Sequence, residues 1–111
     1  MKPIKTNLKP LMIKTNQGNS FFDYQDIIRF EADGHYTNVF LSEGKQVRCI
    51  LSIKDLNAIL PKNIYFRCHR SHIVNLSYIT NYNGKTSLLT VAENDIPLSS
   101  SHENDFMELF G

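Results

Sequence analysis

A chain of 111 residues with 41% hydrophobic and 11% aromatic side chains reads as one globular domain and excludes a disordered polypeptide. Its net charge of +1 excludes a bulk polycation, so any nucleic-acid binding must come from local clustering of bases. Two cysteines, Cys49 and Cys68, make no disulfide framework and no apolar run approaches membrane-spanning length, so a cytoplasmic protein with reduced thiols and no membrane partner is expected.

The charges are unevenly spread. Lys2, Lys5, Lys9 and Lys14 precede the first acid, whereas the stretch after Lys85 holds Glu93, Asp95, Glu103, Asp105 and Glu108 and no lysine or arginine.

Residues 1–10, with two prolines and three lysines, read as a flexible arm or the remnant of a linker, and residues 11–111 as the domain proper. Leu11 to Thr15 is a short strand, 16–19 a turn, and Ser20-Phe21-Phe22 the return. Ile28, Phe30 and Ala32 alternate with Arg29 and Glu31 until Asp33-Gly34 breaks the strand. Thr37, Val39 and Leu41 then share one face, with Tyr36, Asn38 and Phe40 on the other, and a turn at 42–45 leads to Val47, Cys49 and Leu51 in a hairpin. Ser52 to Leu60 is the clearest helix, capped by Ser52, striped by Ile53, Leu56 and Leu60 with Ile59 alongside, and stopped by Pro61.

His72 to Thr80 reads as one strand, and Asn83-Gly84 as a tight hairpin turn in which both residues take positive φ. Thr86 to Val91 runs back, and Pro97 marks Ile96-Pro97-Leu98 as an edge strand or strand end. Ser100 and Glu103 stand in capping-box spacing ahead of a final helix striped by Phe106, Leu109 and Phe110. About nine short strands and two helices make an all-β fold with trimmings.

The stretch from Phe66 to Asn75 is apolar at both ends and holds Arg67, Cys68, His69, Arg70, Ser71 and His72 in its middle. Two guanidiniums within four residues are costly to bury, so the middle is expected to be an exposed turn. Such a turn can hold an anion or a base edge, or it can simply be solvated.

Cys68-His69-x-x-His72 has metal-like ligands, but no second cluster accompanies it, and in an extended stretch residues 69 and 72 point to opposite faces. One packed and one exposed histidine is therefore expected, with Cys68 as a small buried apolar residue. No phosphate-cradling glycine motif, serine elbow or ordered nucleophile–base pair is present, so neither enzyme activity, cofactor nor metal is expected.

From Ile27-Ile28-Arg29-Phe30-Glu31-Ala32-Asp33-Gly34-His35-Tyr36-Thr37, Leu51-Ser52-Ile53-Lys54-Asp55-Leu56, Leu60-Pro61, the run Phe66 to Asn75, and Ile96-Pro97-Leu98-Ser99, the chain resembles the LytTR family of bacterial DNA-binding domains over roughly its whole length after the arm. The resemblance implies an elongated, mainly β assembly of small antiparallel sheets with two short helices. It implies transcription regulation as the output domain of a two-component response regulator in a phosphorelay, with a receiver domain or sensor kinase upstream. The implied partner is double-stranded DNA, in direct repeats bound by a homodimer, with loops rather than a helix entering major grooves.

Carried over by position, the resemblance puts His35 and Tyr36 on a first DNA-contacting loop, His69, Arg70 and Ser71 on a second, and Ser100, Ser101 and His102, after Ser99, on a third. Arg70 can fork onto guanine or clamp a phosphate. Lys45, Arg48, Lys54 and Lys85 are candidates for phosphate contacts, and Arg67, His72 and Asn75 are expected to be structural. Where family members often carry arginine or lysine in the third loop, this chain has Ser100-Ser101-His102 followed by Glu103 and Asp105, which implies weaker binding or more reliance on dimerisation. The competing reading is a β-rich protein-interaction module with a weakened DNA surface, docking through Phe21-Phe22 or Tyr78 and Tyr82. Single-stranded RNA on Tyr36, Phe40 and Tyr82 is the third.

Overall fold

The computed structural model describes residues 9–110; most of the expected arm lies outside the described residues. Ten strands, two helices and two 3-10 turns follow in the order β1 (Leu11–Thr15), β2 (Gly18–Phe22), η1 (Tyr24–Asp26), β3 (Ile27–Asp33), β4 (Tyr36–Leu41), β5 (Gln46–Cys49), α1 (Ile53–Ile59), β6 (Tyr65–His69), β7 (His72–Asn75), η2 (Leu76–Tyr78), β8 (Ile79–Asn83), β9 (Leu88–Val91), β10 (Asn94–Pro97) and α2 (Ser100–Phe110). The fold is mostly β, antiparallel, with two helices.

The strands form a seven-stranded sheet in the order β2-β1-β5-β4-β3-β7-β6 and a three-stranded sheet in the order β10-β9-β8. Period-2 alternation sorts the large sheet's side chains to two faces. Ile13, Phe30, Val39, Cys49 and Ile73 point to one face, which α1 covers with Ile53, Leu56 and Leu60. On the other face Phe66 and Val74 meet Leu89, Val91, Ile96 and Leu98 of the small sheet and Phe106 of α2. That cover ends near β3. Across β2, β1, β5 and β4 the same face is open, and Phe21, Met12, Ile50 and Tyr36 stand exposed on it.

Helix α1 forms as read: Ser52 Oγ accepts the Asp55 N–H at 3.1 Å, although Ile59 points outward rather than joining the buried stripe. Four other expectations are corrected. The strand read over 72–80 is cut at Asn75, whose Oδ1 accepts the Ser77 N–H at 3.0 Å, and the chain crosses from the large sheet to the small one through η2. The Asn83-Gly84 turn is a four-residue loop, because Asn83 Oδ1 accepts from both Lys85 N and Thr86 N; Ser87, not Asn83 or Gly84, takes positive φ. At α2 the residue before the helix is Ser99, and the Glu103 carboxylate, instead of reaching back to a cap, accepts the Tyr82 hydroxyl at 2.6 Å. Only Phe106 of the expected α2 stripe is buried; Leu109 and Phe110 are exposed.

Candidate nucleic-acid interface

Strand order decides what meets at one end of the large sheet. β3 and β4 join through Gly34-His35, with Asp33 opposite Tyr36. Gly34 has φ +62°, so the first position of this two-residue turn sits where L side chains are strained, and the turn aims His35 outward. β6 and β7 join through Arg70-Ser71, with His69 opposite His72. Because β7 lies beside β3, the second tip abuts the first: the Ala32 N–H donates to the Ser71 carbonyl at 2.9 Å. The third tip is tied to the second, since the Ser99 N–H donates to the Cys68 carbonyl at 2.9 Å. His35, Arg70 and Ser101 therefore line one end of the molecule in the order β4, β3, β7, β6, α2.

Within this row the groups are arranged for contact. Arg70 is exposed, and its guanidinium makes no hydrogen bond or ion pair with the described residues; its carbonyl accepts from Arg67 Nη2 at 2.9 Å. His69 Nδ1 accepts the Ser71 N–H at 3.1 Å, which braces the turn and leaves Nε2 as the outward atom. Ser99 Oγ and Ser101 Oγ lie 2.6 and 3.2 Å from His102 Nδ1. The nearby acids are engaged inside the protein: Asp33 with Arg48 at 2.6 Å, Glu31 with Arg29 at 2.7 Å, and Glu103 with Tyr82.

The histidine geometry is a correction. A β-bulge between Arg67 and His69 and the two-residue turn bring His69 and His72 together, ring centroids 5.4 Å apart, instead of pointing them to opposite faces. Among the described residues no group of three or more His, Cys, Asp or Glu is placed to hold a metal ion. Burial lowers the His72 pKa, helped by His69 and Arg29 and opposed by Glu31, whose carboxylate is 3.7 Å from Nδ1. Cys68 is buried and its thiol is pushed up to about 12 by desolvation.

The further cations divide. Arg48 pairs across the hairpin with Asn38 and lies 5.2 Å from the Tyr36 ring, next to the first tip. Lys85 lies in the β8–β9 loop, whose Ser87 carbonyl accepts the Leu98 N–H just before the third tip. Lys45 sits in the β4–β5 turn at the opposite end of the sheet, and Lys54 is exposed on α1. Asp33, whose carboxylate holds Arg48 and accepts from the Asn38 amide, was not singled out as a site residue in the sequence; the signal available was the hairpin register that faces Asn38 with Arg48. Arg67 and Asn75 have structural contacts as expected, with Asn75 donating to the Tyr24 and Ile27 carbonyls.

The surfaces of the competing readings look different. Tyr78 and Tyr82 are partly buried against the second core, their hydroxyls donating to the Gln25 carbonyl and to Glu103, so they form no open docking patch. Tyr36, Phe40 and Tyr82 share no platform: Phe40 lies under the Arg29 guanidinium at 3.7 Å, and Tyr82 belongs to the other sheet.

A family model described as the LytTr DNA-binding domain matches residues 18–111. The heme-containing CO-sensing transcriptional regulator RcoM 1 of Paraburkholderia xenovorans strain LB400 is 35% identical over 94 residues, covering 80% of this chain and 35% of that protein. The transcriptional regulatory protein NatR of Bacillus subtilis strain 168 is 28% identical over 76 residues, covering 68% of this chain and 32% of that protein. The chain spans about a third of the length of these curated relatives. Among solved structures, a LytTr DNA-binding domain from Bacillus cereus, described as part of a methyl-accepting/DNA response regulator, matches with a TM-score of 0.78 and 28% identity, covering 95% of this chain and 99% of that one. No helix among the described residues is long and apolar enough to cross a membrane.

Proposed function

The chain belongs to the LytTr DNA-binding domain family, which serves transcription regulation, and on that premise we propose that its three tips read double-stranded DNA from successive major grooves. The observation that carries this reading is the convergence of His35, Arg70 and Ser101 on one end of the sheet, held by the Ala32–Ser71 and Ser99–Cys68 backbone hydrogen bonds. Arg70 supplies the fork for a guanine edge. His35, Tyr36 and His69 flank it, and Ser71, Ser100, Ser101 and His102 offer donors for phosphate oxygens together with the free N–H groups that open α2. Arg48 and Lys85 extend the cationic row toward the backbone on either side.

In this reading the domain is the output half of a regulator working in the cytoplasm, bound as a homodimer to direct repeats. A receiver domain or sensor kinase upstream is the two-component form. The proteins it resembles are described differently, one as a heme-containing CO-sensing transcriptional regulator and another as a methyl-accepting/DNA response regulator.

Selection of bound duplexes from a random pool, followed by affinity measurements on the recovered sequence, tests the reading. Affinity is expected to fall steeply with salt. Arg70→Ala is expected to weaken binding by about 1–3 kcal/mol and relax preference at one base position, without changing the melting temperature. A variant that binds as tightly and selectively as the parent would remove Arg70 from the interface.

A further inference from the structure

The peptide unit between Arg70 and Ser71 is gripped at both ends. Its carbonyl accepts from Arg67 Nη2 at 2.9 Å, and its N–H donates to His69 Nδ1 at 3.1 Å. Two-residue hairpin turns favour positive φ, which matches the twist of the strands they join. Neither Arg70 nor Ser71 has a positive φ, so this turn lacks that built-in match. The plane of its central peptide is set by ψ of Arg70 and φ of Ser71, and its tilt decides how both side chains leave the tip. The Ser71 carbonyl is tied to Ala32 of β3, which leaves the plane of the preceding peptide to Arg67 and His69.

Arg67 stands on β6 opposite Ile73, and a β-bulge separates it from His69. The bulge re-aims side chains along β6, and the Arg67 guanidinium runs up to the turn. In reaching the carbonyl it leaves Nε buried with no hydrogen-bond partner among the described residues. A fully solvated arginine would not bear that cost, so the carbonyl contact holds the side chain in place. The groove that Arg67 lines carries Asp105 and Glu108 together with Lys62 and His102. Charges of both signs surround it, and what it delivers to the turn is one directed hydrogen bond.

We propose that Arg67 is a positioning residue for base recognition: by clamping the Arg70 carbonyl it fixes the direction in which the Arg70 guanidinium leaves the tip, without touching DNA itself. A bidentate fork onto a guanine edge tolerates little misalignment, whereas a point contact with phosphate tolerates more. Loosening the clamp therefore costs base preference first. The consequence for recognition rests on the DNA-binding reading; the clamp itself does not.

Two measurements on the full chain test this. Arg67→Met keeps the stem and removes the donor, while Arg67→Lys keeps a donor and the charge. In the protein without DNA, the Ser71 amide is expected to exchange its hydrogen faster in Arg67→Met than in the parent, at an unchanged melting temperature. On the duplex recovered by selection, Arg67→Met should bind about tenfold more weakly and lose preference at the base position that Arg70→Ala relaxes. The salt slope should stay as in the parent, the added loss in an Arg70→Ala background should be small, and Arg67→Lys should recover part of the preference. A loss shared by all sequences, with the salt slope reduced by about 1 and the same cost in the Arg70→Ala background, would make Arg67 a phosphate contact and overturn the positioning role. A lower melting temperature with base preference intact, or a Ser71 amide that exchanges no faster, overturns it as well. Arg67→Gln, with its shorter side chain, takes the place of Arg67→Met in every arm if that variant fails to fold. A parent that binds no duplex defeats the DNA reading and the recognition role with it, and the Ser71 exchange still decides the clamp.

Discussion

The Asn75 side-chain amide donates to the Ile27 carbonyl at 2.9 Å and to the Tyr24 carbonyl at 3.2 Å, while its Oδ1 accepts the Ser77 N–H and hydroxyl. Asn75 is buried, so one side chain satisfies backbone groups at the start of β3 and turns the chain out of β7 toward the small sheet. Asn75→Ala removes the side-chain donor to the Ile27 carbonyl in a buried site, while the Tyr24 carbonyl keeps the Tyr65 hydroxyl and the Ile27 N–H. The expected loss is roughly 1–3 kcal/mol for each group left unsatisfied, read as a lower urea midpoint with unchanged slope. A midpoint within error of the parent would show that water takes over the role.

The parts of the fold written in local chemistry were legible. The β1–β2, β3–β4 and β4–β5 hairpins follow from alternation interrupted by turn residues, and α1 from Ser52, its apolar spacing and Pro61. Legibility failed where a distant partner outbid a local preference. Glu103 has capping-box spacing to Ser100, but Tyr82 holds its carboxylate. Alternation continues through Asn75 as if β7 ran on, and period 2 carries no mark of a change of sheet. His69 and His72 meet only because a turn and a bulge fall between them. Convergence of the three tips depends on β7 lying beside β3, a non-local pairing that only the family resemblance implied in advance.

The Asp33 carboxylate, 2.6 Å from Arg48 Nη2, holds that guanidinium at the first tip in the unbound protein. Both side chains are about half exposed, so the pair adds little stability and is readily exchanged for a phosphate. Asp33→Asn is expected to tighten DNA binding and steepen its salt dependence, because a carboxylate beside the duplex is removed and Arg48 is released. Arg48→Ala is expected to weaken binding and reduce the salt slope by about 1. Both should change folding stability by no more than about 0.5 kcal/mol. Weaker binding by Asp33→Asn would mean that the carboxylate positions Arg48 instead of competing for it.

His72 gives the second tip a pH-dependent support. Its imidazole is largely buried, and desolvation lowers its pKa from the unfolded value near 6.5; His69 and Arg29 act in the same direction and Glu31 against it. Between the folded and unfolded values the unfolded chain binds the proton and the folded chain does not. Stability therefore rises with pH in that window: it is complete above about 6.5 and is lost as pH falls toward the folded value. For one proton the slope is at most about 1.4 kcal/mol per pH unit. His72→Gln removes the titrating group, so the difference between parent and variant urea midpoints should shrink as the pH is lowered through this window, in the parent's disfavour. A difference that grows on acidification would mean that the Glu31 carboxylate, 3.7 Å from Nδ1, outweighs burial and that the folded tip prefers the charged ring.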